Sequence, residues 1–468
     1  MNETMSVEST DGPIWNKRLS SILVALLGFS FIAILAVGSY YDQPITQIFG
    51  YNVYDQAITH SVSSEIDEEH CQITKHGFGQ HCFSDFILPM DFINEPNLWS
   101  KGYYSPTGFI PHFISNELKN LIGHRPTLFI YLTLLLFSLL TPALYVYKRR
   151  QSNNQSLLPF LLIGVTSVPV IFTLDRGNSV GFVVPWLLLF ATRLRKNPDW
   201  IVTLSIIASA AIRPQFALLA IGLIAFGQIK QFVYSVLGSI AINLLPFFII
   251  TSNPVSNINL WLTGLTGYAT DGRNGSAITG GQYPVVLSFG KAVFNFFNIM
   301  KFYGTAQKML ANASTLSILC LTLSCIVVFI CRKHMTPMIA VVIALILPTI
   351  IPPMAFGYYS VFVLVIAARI MTLNGLKSPA HHFETCTTKS HTSWLWLLTL
   401  ATAFSLAPLP FAEEVGRNCI PLERCRNSIP LELFGLVWSS VLFGSLLLLI
   451  IKFMSSEKVV NLLTHEQN

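Results

Sequence analysis

Two arginines stand where the surrounding sequence otherwise keeps charge out. Arg176 lies in TLDRGNSV and Arg213 in AAIRPQFALL, each beside a long apolar run. An ionised guanidinium at membrane depth is costly enough to be a functional hypothesis by default, and its planar fork suits a phosphate. The competing readings are that Arg176 pairs with the adjacent Asp175, or that both side chains snorkel to lipid headgroups. Asn178 and Gln215 follow these arginines closely, and their amides suit hydrogen bonds to a sugar or a phosphate. Helix capping accounts for Asn178 equally well. For proton transfer, Asp42, Asp55, Asp85 and Asp91 all precede the second long apolar run. A single carboxylate within hydrogen-bond reach of a hydroxyl can take its proton, although a solvated or capping role is the ordinary one for a loop aspartate. Asn274 and Ser276 sit among Gly272, Gly275, Gly280 and Gly281. That composition fits a loop closing over a ligand, or a flexible surface loop.

The elements that must position these groups are membrane helices. Of 468 residues, 52% are hydrophobic and 11% charged, outside the usual range for a soluble globular protein. Runs near bilayer length number about twelve, at 19 to 40, 127 to 147, 157 to 174, 180 to 192, 201 to 212, 215 to 227, 231 to 250, 315 to 330, 336 to 351, 354 to 368, 393 to 411 and 434 to 451. Those at 180 to 192, 201 to 212 and 215 to 227 are short, which suggests half-buried or broken helices. The runs lack barrel alternation, so the expected class is all-α, a polytopic membrane protein with about twelve transmembrane helices.

Lys and Arg accumulate on the cytoplasmic side of a membrane. With the N-terminus inside, the inner segments hold Lys17, Arg18, Lys148, Arg149, Arg150, Arg193, Arg195, Lys196, Lys230, Arg332, Lys333, Arg369, Lys377, Lys389, Lys452 and Lys458. That is more than half of the 29 basic residues, on the smaller share of the loop sequence. Both termini are therefore expected in the cytoplasm of a multi-pass cell-membrane protein. Residues 1–18 form the inner N-terminus, 19–372 the main module, and 373–468 further helices and a cytoplasmic tail. Large outer loops at 41–126 and 251–314 place binding or chemistry on the outer face. The first run suits an uncleaved anchor better than a signal peptide.

The formal charge of +6 then follows from topology and gives no reason to invoke nucleic acid. No GxxxxGK[ST] loop occurs, which argues against an ATP-driven pump. Cys71 with Cys82, and Cys419 with Cys425, lie in outer loops where local disulfides can form. Cys320, Cys325, Cys331 and Cys386 read as reduced packing residues. His70, His76 and His81 match no standard zinc spacing, and no acidic cluster has obvious Mg or Mn spacing, so no metal and no cofactor is expected.

Several segments, in order, resemble a known group. The first outer loop contains VYDQAI at 53 to 58 and NLWSKGYYSP at 97 to 106; RGN follows at 176 to 178, AAIRPQFALL at 210 to 219, NGSAITG at 274 to 280 and IIPPMAFGYYSVFVLVI at 350 to 366. Together they resemble the membrane glycosyltransferases of clan C, which use polyprenyl-phosphate sugars. Within the clan they look most like glycosyltransferase family 87, the actinobacterial mannosyl and arabinofuranosyl transferases. The resemblance implies a GT-C-like module over 19–372 that moves a sugar, mannose or arabinofuranose, to an envelope glycolipid or polysaccharide acceptor. It makes Asp55 the general base, with Asp91 the main competitor. Arg176 and Arg213 would hold the donor phosphate, and Asn178, Gln215 and Asn274 would contact substrate. Where the family has paired histidines, this chain has Tyr358 and Tyr359, so Tyr358 becomes the substrate contact there.

The implied chemistry is an inverting displacement, in which one carboxylate activates the acceptor and cations stabilise the departing phosphate. Two other classes fit the same outline. A secondary transporter should show internal duplication, and no clear repeat is present. A polysaccharide polymerase or ligase shares the multiple spans and large external loop.

Overall fold

In the computed structural model, residues 19–30, 32, 83–93, 98–101, 104–150, 157–195, 197, 199–270, 288–352, 357–372, 389–407 and 429–455 are described. Every regular element among them is helical, as expected where backbone polar groups must be satisfied within the segment. Four helices are long and apolar enough to cross a membrane: His124–Arg149, Ile229–Ile250, Ala313–Ile330 and Phe434–Met454. A bent pair, Leu157–Ile163 and Val168–Arg176, makes a fifth if taken as one span. The remaining apolar runs fold as helices of 10–17 residues, among them Ser179–Arg193, Trp200–Ile212, Pro214–Ile224, Pro337–Ile350 and Tyr358–Thr372.

Each break has a local cause. The pair at 157–176 bends by 48° where the ladder loses register after Gly164, Thr166 N–H reaching back five residues to the Leu161 oxygen, and Pro169 opens the next helix. Ser167 Oγ donates to the carbonyl oxygens of Ile163 and Gly164, so carbonyls freed by the bend stay partnered. The second break falls at Arg213, whose backbone is extended (φ −143°, ψ 114°). Pro214 follows it, and a residue before proline is pushed out of the helical region.

Pro337–Ile350 and Phe362–Thr372 form the centre of the bundle. All residues of the first from Met338 to Ile350 are buried, as are all but Arg369 in the second; an apolar surface on every side is the mark of such a helix. At the periphery, Leu237, Leu245, Phe248 and Ile249 on Ile229–Ile250, and Ile318, Leu319 and Phe329 on Ala313–Ile330, are exposed. The Lys389–Leu406 and Ile429–Met454 helices are cross-linked by two indole bonds, Trp394 Nε1 to Ser445 Oγ and Trp438 Nε1 to Ser405 Oγ, both 2.9 Å.

Ahead of the first long helix, the described part of the 41–126 loop forms two helices, Ser84–Phe92 and Ile110–Ile122. The second is amphipathic: His112 and Ser115 are buried, whereas Ile110, Ile114 and Leu121 are exposed. A small aromatic cluster of Trp99, Tyr104, Phe109, Phe247 and Trp261 ties this region to the end of Ile229–Ile250.

Candidate functional site

The site forms where three helix ends converge. Val168–Arg176 stops at Gly177, which takes the left-handed conformation (φ 62°), and the Asn178 N–H returns to the Thr173 oxygen at 3.1 Å. Glycine is favoured there twice over, because a Cβ would also lie 3.0 Å from Phe86 Cβ and 3.3 Å from Phe83 Cβ. Tyr131 fixes the turn by donating its hydroxyl to the Gly177 oxygen at 2.9 Å.

Asp85 arrives from the other side of that turn. The Phe83 N–H donates to the Asp175 oxygen at 3.0 Å, and Phe83 holds a positive φ of 57° just before Ser84–Phe92. The helix therefore starts beside Arg176, with Asp85 in its first turn. Arg176 Nε lies 3.2 Å from Asp85 Oδ2, and Asn178 Nδ2 donates to the same oxygen at 2.8 Å. Among the described residues Asp85 Oδ1 has no such partner. The pair is only partly enclosed, its side chains 16% and 22% exposed for Arg176 and Asp85.

Asn178 joins the second arginine to this pair. Its Oδ1 accepts from Val180 N at 2.9 Å and from Arg213 Nη2 at 3.2 Å. Asn178 therefore caps the 179–183 turn, and the same side chain links Asp85 to Arg213. Arg213 is buried, with its guanidinium carbon 3.9 Å from the Tyr104 ring centre and 5.8 Å from that of Tyr359. Gly108 allows the Tyr104 segment to come this close, since a Cβ there would stand 2.8 Å from the Ile212 oxygen. Arg176 lies 5.7 Å from the Tyr358 ring centre. Arg176, Arg213, Asp85, Tyr104, Tyr358 and Tyr359 therefore share one end of the bundle.

His112 stands behind Tyr104. It is fully buried, with ring centroids 5.1 Å from Tyr104 and 6.2 Å from Tyr131. Neither ring nitrogen meets a well-formed hydrogen-bond partner among the described residues, the Phe86 backbone offering only a weak polar contact. Burial, reinforced by the Arg213 charge, pushes its pKa down to about 3, so the ring is neutral at physiological pH. Burial also raises the Tyr104 pKa, against a lowering contribution from Arg213.

Of the expected site residues, Arg176, Asn178, Arg213 and Tyr358 come together. Gln215 donates Nε2 to the Pro348 oxygen at 3.0 Å and also hydrogen-bonds Tyr359, whose ring faces Arg213, so it borders the same cluster. Asp55 and Asn274 lie outside the described residues. Asp91 sits on the Ser84–Phe92 helix, six positions past Asp85, and its side chain is also outside them. The partner of Arg176 across the fold is Asp85, 91 residues away in sequence. Tyr104 and Tyr359 carried a sequence signal only as members of NLWSKGYYSP and of the tyrosine pair at 358 and 359, and His112 carried none. The described residues hold no group of three or more His, Cys, Asp or Glu placed to bind a metal. Cys320, Cys325 and Cys331 are free thiols, and the outer-loop cysteines lie outside the described residues. No family model, no curated protein and no solved structure matches the chain.

Proposed function

We propose that this protein is a membrane glycosyltransferase that moves a sugar from a polyprenyl-phosphate donor to an envelope glycan or glycolipid acceptor at the outer face. In this reading about twelve helices cross the membrane, both termini are cytoplasmic, and the fold is GT-C-like. The observation that carries the reading is Asp85 held on one oxygen by Arg176 and Asn178, with Arg213 bonded to the same asparagine. Asp85 takes the role of base, which the resemblance assigns to Asp55.

The reaction follows from the groups present. The acceptor hydroxyl gives its proton to Asp85 Oδ1 as its oxygen bonds the anomeric carbon on one face. The bond from that carbon to the phosphate oxygen breaks on the other, inverting the centre. The phosphate leaves with the electron pair, and its charge is met by Arg176 and Arg213. A phosphate of low proton affinity needs this electrostatic help more than an acid. Arg213 is buried and Arg176 mostly so, and in such surroundings a charge interaction is stronger than in water.

Transport of an anionic substrate is the second reading. The 48° bend at 164–167 and the break at Arg213 favour it, since transporters bind substrates at interrupted helices. Incubation of the purified protein with polyprenyl-phosphate mannose and arabinofuranose, in detergent and after reconstitution into vesicles, decides between them. The transferase reading expects a covalently extended acceptor; sugar uptake into vesicles without any such product supports the transporter.

A further inference from the structure

We infer that Asp85 is the resident anion of the donor-phosphate site, and that a lipid-linked phosphodiester must take Arg176 from it for the site to become active. This rests on the phosphate-donor reading above. It adds that the ligand-free site has one of its cations already engaged by a carboxylate of the protein, and that this base is released by the substrate.

The argument starts from charge. Arg176 and Arg213 bring two positive charges to one partly enclosed end of the bundle, and Asp85 supplies one negative charge against them. A carboxylate and a phosphodiester monoanion are alternative acceptors for the same guanidinium donors. A bound phosphodiester would add a second anion beside Asp85 for these two guanidinium groups to meet. The arrangement also contains a means of exchange. Asn178 Nδ2 holds Asp85 Oδ2 independently of Arg176, so the carboxylate stays in place when the arginine turns away. The Arg176 contact to Asp85 runs through Nε alone in this state, short of the two-pronged grip that a guanidinium gives an oxyanion. Tyr358 lies within 5.7 Å of the Arg176 guanidinium, giving it an aromatic face on which to turn. Donor binding then frees the carboxylate from Arg176 while Asn178 keeps it in place.

The test measures binding without turnover. A short-chain isoprenyl phosphate and inorganic phosphate are titrated by calorimetry into the purified protein in detergent, for wild type, Asp85→Asn and Asp85→Asn combined with Arg176→Gln. Glu117→Gln, which removes an exposed charge from the neighbouring Ile110–Ile122 helix, controls for net charge. Asp85→Asn is expected to bind the isoprenyl phosphate about three- to tenfold more tightly, with the gain lost in the double variant and absent in Glu117→Gln. Unchanged or weaker binding by a folded Asp85→Asn overturns the inference, as does an equal gain in Glu117→Gln. Equal affinity for inorganic phosphate overturns the lipid-linked identity of the ligand. Should Asp85→Asn not fold, a wild-type structure with isoprenyl phosphate bound decides. The Arg176 to Asp85 separation is expected to open beyond about 4 Å, and retention of the 3.2 Å contact beside a bound phosphate contradicts it. Sugar transfer is scored separately. Transfer without tighter binding sinks this inference alone, and tighter binding without transfer sinks only the transferase reading.

Discussion

Asn178 touches Asp85 with one end of its amide and Arg213 with the other, at 2.8 and 3.2 Å. One side chain therefore sets the distance between the carboxylate and the second cation, and also caps the 179–183 turn through Val180 N. Asn178→Ala removes all three bonds. A loss of about 1–2 kcal/mol is expected from the cap and the stranded partners, read as a lower melting temperature in detergent. Asn178→Asp keeps the cap but replaces the bond to Asp85 with a like-charge contact, so it should also melt below wild type and fail in sugar transfer.

Gly177 tests the turn that delivers Arg176 and Asn178. Gly177→Ala forces a Cβ into a left-handed residue already packed against Phe86 and Phe83. The expected cost is about 1–3 kcal/mol. An unchanged melting temperature would show that the turn does not have this conformation.

Arg213 is held by its shape as well as its charge. Its guanidinium lies 3.9 Å from the Tyr104 ring centre, and an ammonium cannot stack there while also reaching Asn178 in the same way. Arg213→Lys should therefore weaken binding of an isoprenyl phosphate on the order of tenfold. Tyr104→Leu should cause part of the same loss. Full binding by Arg213→Lys would reduce the arginine to a simple point charge.

His112 makes stability depend on pH in one direction. Its pKa falls from the ordinary 6.5 to about 3 in the folded protein, so between those values the unfolded chain binds a proton that the folded chain does not. The stability due to its neutral burial is present above pH 6.5 and is lost as pH drops towards 3. At pH 5 the loss is about 2 kcal/mol. His112→Phe should flatten this part of the profile; an identical pH dependence in that variant would remove His112 as its source.

The helices were legible because apolar runs of bilayer length have few other folded solutions, and even the short runs at 180 to 192 and 201 to 212 proved to be short helices. Arg176 and Arg213 were legible for the complementary reason, as charges where the sequence otherwise excludes them. Asp85 was visible only as one of four loop aspartates. What selects it is the Phe83 bond to Asp175, a contact between distant segments that leaves no local pattern. Tyr104 reaches Arg213 through the close approach at Gly108, again a tertiary effect. Gln215 was legible as a polar residue beside a membrane arginine, but its bonds to the Pro348 carbonyl and to Tyr359 are tertiary contacts with no local pattern.

The account turns on Asp85 as the base, and one comparison addresses it: sugar transfer from a purified polyprenyl-phosphate sugar, in detergent, by wild type, Asp85→Asn, Asp55→Asn and Asp91→Asn at matched folding. Asp85→Asn is predicted to lower the rate by about 10²–10⁴, with the other two variants much closer to wild type. Near-wild-type transfer by Asp85→Asn, with loss in Asp55→Asn or Asp91→Asn, would contradict the assignment.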